Sequence, residues 1–290
     1  MRSVVLTKLG QVAGVVTLLF WTGCGTTSIS DSTSASTSLS TSTSLPTTTL
    51  SSPAAETRAL AQYWVGDTSR GFRLYREFAR LEITPDPITA ALRSLVSSQP
   101  RDSDYTSLWP IGTKINRVVV DADEVTIDLS FDKLVVGAEG ESLAIAQIVW
   151  TATAADRSIS KVRFTVDGEI VESLAGHVDA SGSFVRAPAY EVVSPVWITS
   201  PEEGAQTNAK GFSLSGLAST FEANVAWKVF RGGKLIRQGS TTALGAAPAW
   251  TPWSVTIDGL TPGEYQFAAM EFSAKDGSLV AQDTKNVTLK

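Results

Sequence analysis

A tract of serine and threonine divides the chain into two parts that must be interpreted separately. Over residues 26–52, 20 of 27 residues are Ser or Thr, and the apolar remainder is a few single Ile, Ala, Leu and Pro residues. Such a segment cannot bury enough apolar surface to offset the entropy lost on ordering. We therefore predict a disordered linker over 24–56 with an average span of about 30 Å, either bare or O-glycosylated.

The residues before the tract have the pattern of a secretory signal. Arg2 and Lys8 precede an apolar run over residues 12–21, which is too short to span a bilayer. The only cysteine of the chain, Cys24, follows directly. This arrangement resembles a bacterial lipoprotein signal, although Trp21 stands where such signals usually have an aliphatic residue. The alternative is an ordinary buried cysteine behind an uncleaved leader.

The lipoprotein resemblance implies a processed and membrane-attached protein. Residues 1–23 would be removed as the signal peptide, and the sulfur of Cys24 would carry a diacylglycerol. The expected location is the extracytoplasmic side of the cell membrane, held there by the N-terminal lipid. Two acyl chains are enough for stable anchoring, whereas a single chain binds membranes only marginally.

The composition excludes several classes of function. One Cys rules out an internal disulfide and a multi-cysteine metal site, and one His rules out a pair of histidine metal ligands. A net charge of −5 gives no electrostatic attraction to phosphate backbones, so nucleic acid is not an expected partner. We predict neither a cofactor nor a metal site.

Residues 57–188 have the element pattern of an α+β domain. Alternating apolar residues predict a strand over 72–78, and Asp86 followed by Pro87 predicts the cap and first residue of a helix. A β-hairpin over 115–129 and a largely buried helix over 143–152 come next. Asp167-Gly168 predicts a tight turn between strands over 162–166 and 169–171. This order favours helices packed on a sheet.

This stretch resembles the GerMN domain of bacterial sporulation and germination proteins. The resemblance covers about residues 60–175 and is diffuse but ordered. The matching segments are residues 74–78, 90–92, 111–113, 118–120, 125–130, 147–151 and 162–168. The family supplies no agreed catalytic residues to transfer. It implies an extracytoplasmic module, in known cases a part of envelope or ring-like assemblies.

Residues 192–290 have the pattern of an all-β sandwich. Seven short strand-like runs alternate with turn signals such as Gly232-Gly233 and Pro262-Gly263. Segments 215–218, 221–227 and 267–274 resemble the immunoglobulin-like domain that follows GerMN in spore-germination lipoproteins. Trp227 alternates with Val225 and Val229, which predicts that its ring lies in the core.

Several candidate catalytic groups have structural explanations that we favour. Ser158 and Lys161 have the spacing of a serine acylase but lack the partner motifs. The acids Asp121, Asp123, Glu124 and Asp128 are best explained as hairpin-turn residues, with a calcium site or a glycosidase pair as alternatives. His177 lies in a Gly- and Ser-rich stretch and is expected to be a loop residue.

Trp250 and Trp253 are the candidate binding surface. They lie beside Pro248 and Pro252 in a run typical of a loop, and exposed tryptophans often anchor sugar rings or protein partners. The alternative is that both rings fold back over the sandwich.

The sequence favours a non-enzymatic scaffold or assembly factor of the cell envelope that binds other envelope proteins. The alternatives are a cell-wall glycan-binding module that uses Trp250 and Trp253, and a carboxylate-dependent hydrolase.

Overall fold

The computed structural model describes residues 55–290, which belong to one compact unit. The predicted signal, the lipid site Cys24 and nearly all of the predicted linker lie outside the described residues. Among residues 55–290, every helix is too short or too polar to cross a membrane. The domain ranges stay predictions, with residues 57–188 as the first domain and residues 192–290 as the second.

The first domain contains two small sheets and two main helices. Its elements are β1 (Thr57–Thr68), β2 (Gly71–Glu82), α1 (Pro87–Ser97), β3 (Tyr105–Thr106), β4 (Lys114–Asp121), β5 (Glu124–Ser130), α2 (Ala138–Ala155), β6 (Lys161–Val166) and β7 (Ser183–Phe184). One sheet has the antiparallel order β2-β1-β3. The other has the order β4-β5-β6-β7, in which β5 and β6 are parallel. A short helix, α3 (Ala189–Val192), leads to the second domain.

The helices form for the reasons that the sequence suggests. The side chain of Asp86 accepts a hydrogen bond from the Thr89 amide at 2.8 Å, and Pro87 is the first helical residue of α1. Helix α2 contacts the helix α1 and the strands β1 and β6, and these two strands belong to different sheets of the domain. It is therefore apolar on nearly every side because nearly every side is covered.

The first domain departs from the predicted element order in three places. Strand β1, which was not predicted, pairs with β2 along its whole length, and the unpredicted two-residue strand β3 pairs with β1. The predicted strand over 169–171 is wrong: the turn forms with positive φ at Asp167 and Gly168, but only one bridge, between Val166 and Glu169, follows it. The chain then leaves the sheet, and β7 pairs with β6 instead.

The second domain is a sandwich of two sheets, as predicted. Its strands are β8 (Val196–Ser200), β9 (Gln206–Thr207), β10 (Phe212–Ala218), β11 (Asn224–Arg231), β12 (Lys234–Thr242), β13 (Thr251–Ile257), β14 (Gly263–Phe272) and β15 (Leu279–Leu289). The sheets have the orders β13-β10-β8 and β12-β11-β14-β15-β9. Their core includes stacked Phe212 and Phe267, whose ring centroids are 4.4 Å apart. The predicted architecture, an α+β domain before an all-β sandwich, is confirmed.

Candidate functional site at the contact between the domains

Of the two alternatives for Trp253, the structure supports the buried one, which removes the Trp250–Trp253 pair as an exposed aromatic platform. Residues 251–257 form the strand β13, in which Trp253 pairs with Gly216 of β10. The Trp253 side chain packs inward and is only 3% exposed, because Gly216 has no Cβ to occupy that space. Trp250 is half-buried; its ring packs against the first domain, and its indole N–H donates to the carbonyl of Ser194 at 3.0 Å.

Trp227 lies on the face that its alternation predicts. Val225 and Val229 on that face are fully buried, and Trp227 packs beside them as a half-buried ring. The ring covers Gly239 of β12 so closely that a Cβ there would clash with it. Trp227 therefore contributes to the edge of the core rather than to its centre.

The hairpin carboxylates connect neighbouring strands. Asp123 pairs with Lys161 at 3.4 Å, and Glu124 pairs with Arg163 at 3.0 Å. Asp128 accepts hydrogen bonds from the Thr165 hydroxyl and the Gly168 amide. Asp121 is exposed at the end of β4. Within residues 55–290, no cluster of acids, His or Cys has an arrangement that could hold a metal ion.

The remaining catalytic candidates are engaged in local structure. The hydroxyl of Ser158 donates to Asp156 at 2.7 Å, while Lys161 reaches Asp123 instead of Ser158. The amide of His177 donates to Glu141 at 2.8 Å, and its ring nitrogen lies 3.1 Å from the carbonyl oxygen of Val136.

Glu141 of α2 is a buried acid that the sequence analysis missed. Its carboxylate accepts hydrogen bonds from the Ser173 hydroxyl and from the amides of four residues, Leu174, Ala175, His177 and Val178. Burial alone would raise the pKa of Glu141, but the donors, led by the Ala175 amide, outweigh it and lower the pKa. The charged carboxylate thus fixes the loop over 173–178. The available signal was an acid two residues before the apolar run over 143–152.

A second buried polar group joins the two domains. This interdomain cluster consists of Asp102 and Tyr105 from the first domain and Asp283 and Lys285 from β15. The ammonium of Lys285 donates to Asp102, to Asp283 at 2.9 Å and to the Tyr105 oxygen at 2.9 Å. The Tyr105 hydroxyl donates to Asp283 at 2.6 Å. All three charged side chains are at most 4% exposed.

The charges of the interdomain cluster depend on one another. Burial raises the pKa of Asp283 to about 6, even though Lys285 and the Tyr105 hydroxyl favour its charged form. Burial disfavours the ammonium of Lys285 as well, but the neighbouring Asp283 and Asp102 outweigh this and raise its pKa. The lysine is therefore held charged between two acids.

Backbone and aromatic contacts surround this cluster. Tyr75 stacks on Tyr105 with centroids 4.8 Å apart and donates its hydroxyl to the Gln282 carbonyl at 3.0 Å. The tip of the β1–β2 hairpin reaches the same strand, where the Ser69 amide donates to the Val280 carbonyl at 3.2 Å. The contact therefore extends along much of β15 and fixes the orientation of the two domains.

Local sequence patterns offer little indication of this contact between the domains. The four residues of the interdomain cluster come from positions about 180 apart. The last of the seven predicted strand-like runs covers residues 286–289 and therefore begins only after Lys285, whereas the observed β15 begins at Leu279. The one signal was the apolar–polar mixture over 279–285, which suits a strand that is covered on both faces by different partners.

Two family models match the chain, one after the other. Residues 61–172 match the family described as sporulation and spore germination, and residues 195–278 match the immunoglobulin-like domain of bacterial spore germination. A comparison with curated proteins found no match.

Several solved structures match parts of this chain at low identity. A Clostridium perfringens protein, provisionally described as a lipoprotein, is 20% identical, covers 48% of this chain and 93% of its own, and has a TM-score of 0.32. The tandem GerMN domains of the sporulation protein GerM from Bacillus subtilis are 18% identical over 49% of this chain and 50% of theirs, with a TM-score of 0.38. The first GerMN domain of that protein is 20% identical over 44% and 98%, also with a TM-score of 0.38.

At such TM-scores the assignment rests on the two family matches and on the observed order of elements. The chain therefore carries a sporulation and spore germination domain followed by an immunoglobulin-like domain of bacterial spore germination.

Proposed function

We propose that this protein is a lipid-anchored, extracytoplasmic scaffold of the cell envelope that binds other envelope proteins without catalysing a reaction. The anchor would be the diacylglycerol on Cys24, and the linker over 24–56 would hold the folded part away from the membrane. The two domains would present their outer surfaces to partners as one rigid body.

The observation that carries the proposal is the interdomain cluster. Burying two acids and a lysine is costly unless the geometry is well satisfied, and here each charge has a partner. Domains that need only a tether are commonly joined by mobile linkers with small polar contacts. A buried and aromatic-flanked contact instead favours a role in which the relative orientation of two binding surfaces matters.

The placement of the acids supports the non-enzymatic part of the proposal. A glycosidase needs two carboxyl groups about 5–9 Å apart that face one cleft. Asp123, Glu124 and Asp128 are each engaged by side chains of neighbouring strands instead. Both matched families are described by spore germination, and neither description names a reaction.

The anchor is tested by metabolic labelling with an alkyne analogue of palmitate. Wild-type protein should incorporate the label and fractionate with membranes, and Cys24→Ala should do neither, because it removes the only sulfur that can take the lipid. Equal labelling of both proteins would contradict the anchor. This result would leave the scaffold role to be judged by its own experiment.

The scaffold role is tested by crosslinking in intact cells followed by mass spectrometry. Wild-type protein should crosslink reproducibly to a small set of envelope proteins through residues of both domains. Lys285→Met, which disrupts the interdomain cluster, should lose crosslinks made jointly by the two domains, whereas Lys234→Met on the exposed strand β12 should keep them. The proposal fails if Lys285→Met folds and retains every crosslink, or if purified wild-type protein hydrolyses peptidoglycan.

A further inference from the structure

A cavity in the first domain is lined by three arginines. It has a volume of about 680 Å³ and lies between β1, β2, the end of α2 and the segment after β7. Its charged lining residues are Arg76, Arg157 and Arg186, and no carboxylate lines it. A cavity of this size is within the range of small-ligand sites, which is about 300–1,000 Å³.

The three guanidinium groups have no acidic partner among residues 55–290. The ion pairs of this part of the chain involve other basic residues. The Nε of Arg76 is buried without a hydrogen-bond partner. Arg186 donates only to neutral oxygens, at 2.7 Å to the Thr153 hydroxyl and at 3.4 Å to the Trp150 carbonyl.

The surroundings of Arg76 and Arg186 partly remove them from water. The guanidinium of Arg186 lies 4.4 Å from the centroid of the Trp150 ring, and that of Arg76 lies 4.8 Å from the Phe78 ring. Desolvation lowers the pKa of Arg186. Desolvated guanidiniums with free N–H groups bind planar oxyanions well, since carboxylate and phosphate accept two parallel hydrogen bonds from one arginine.

The rest of the lining combines hydroxyl groups with apolar surface. Tyr63 and Ser160 supply hydroxyls, while Phe78, Ile159 and Val185 supply carbon surface. The acids beside the lining are already engaged: Asp123 accepts from the Ser160 hydroxyl and pairs with Lys161, and Asp156, which precedes Arg157, accepts from Ser158. A ligand with an oxyanion, further hydroxyls and a C–H face matches all of these groups.

We propose that this cavity binds an acidic saccharide, a sugar that carries a phosphate or a carboxylate group. The arginines hold the oxyanion, Tyr63 and Ser160 hydrogen-bond to sugar hydroxyls, and the ring packs on Phe78. The inference does not rest on the scaffold role, since the cavity lies in the first domain and a scaffold can act with or without it.

The test is isothermal titration calorimetry on the purified full chain with four probes: glucose 1-phosphate, glucuronate, uncharged glucose and inorganic phosphate. At least one acidic sugar should bind with a dissociation constant below about 1 mM, and glucose should not bind in that range. The acidic sugar that binds more tightly identifies the oxyanion as phosphate or carboxylate.

Matched variants distinguish binding inside the cavity from an effect of the net charge of the protein. Arg157→Gln removes an exposed side chain just beyond α2, so the fold should persist, and binding should weaken about tenfold or more. Arg186→Gln should act in the same direction. Arg93→Gln on the exposed side of α1 makes the same charge change outside the cavity and should bind like wild type.

Three results would overturn the proposal. If neither acidic sugar binds at millimolar concentration, the proposed site is refuted. If Arg93→Gln and Arg157→Gln weaken sugar binding equally, the weakening comes from the change in net charge and not from the cavity. Inorganic phosphate binding as tightly as glucose 1-phosphate, with glucuronate silent, would show that the cavity does not recognise the sugar.

Discussion

Replacing Lys285 with methionine tests the importance of the interdomain cluster. Methionine keeps much of the apolar stem but removes the ammonium and its three hydrogen bonds to Asp102, Asp283 and Tyr105. Two acids then remain buried without a cation. Removing one partner of a buried ion pair costs about 3–5 kcal/mol of unfolding free energy, and we expect Lys285→Met to fall in that range at neutral pH.

The loss of unfolding free energy caused by Lys285→Met should depend on pH. Without Lys285, the pKa of Asp283 rises further above about 6, so the folded protein takes up a proton that the unfolded chain, with a pKa near 4, does not hold. The variant is then relatively more stable at low pH, because protonation removes the unpaired charge. The difference from wild type should therefore be larger at pH 8 than at pH 5, by about 1.4 kcal/mol for each unit that the Asp283 pKa rises within that interval.

The assay is urea denaturation followed by tryptophan fluorescence at both pH values. Lys234→Met on exposed β12 is the matched control and should change stability by less than about 0.5 kcal/mol. Lys285→Met combined with Asp283→Asn should cost less than the sum of the two single changes, because the second change removes an uncompensated charge. A cost below about 1 kcal/mol, or one that is equal at pH 5 and pH 8, would refute the reasoning.

Three further outcomes are expected. Trp253→Ala should lower the unfolding free energy by about 3–5 kcal/mol in a denaturant melt, because the ring is buried; a variant that melts like wild type would place the ring at the surface. Glu141→Gln should destabilise by at least about 2 kcal/mol and speed hydrogen exchange over residues 174–178, since an amide nitrogen cannot accept from those backbone donors; unchanged exchange would contradict the role of the carboxylate. In wild-type protein, carbon-detected NMR should show Asp283 titrating near pH 6. The stabilisation from protonated Asp283 should be present below about pH 4 and be lost as pH rises through 6, and Asp283→Asn should remove this pH dependence. A titration of Asp283 near pH 4 would contradict the raised pKa.

Local patterns predicted the elements whose cause is local. Asp86 and Pro87 specify the start of α1 through one side-chain bond and one fixed φ angle, and both effects act within four residues. Seven of the eight strands of the sandwich were predicted because alternation and turn residues repeat along the chain, whereas the two-residue strand β9 was not. The same reasoning located the Asp167-Gly168 turn.

Features that depend on distant partners were not predictable in this way. Trp253 is buried because Gly216, 37 positions earlier, pairs with it and leaves space for the indole. Proline at position 252 made the run resemble a loop, although β13 lies at the edge of its sheet, where proline is tolerated. The strand β1 was missed because its long buried run has no clear period, and the interdomain cluster was missed because Asp102 and Lys285 are brought together only by the folded chain.

The contact between the domains has a consequence for the order in which the chain folds. It joins Asp102 to Lys285 across 183 positions and Ser69 to Val280 across 211. Closing such long loops costs little more free energy than closing shorter ones, but contacts of this separation slow folding. Domains generally fold as units with the N-terminal one first during synthesis. The first domain can then complete its own core while Tyr75, Tyr105 and Asp102 still face solvent, and the chain is most exposed to misassembly until β15 covers them.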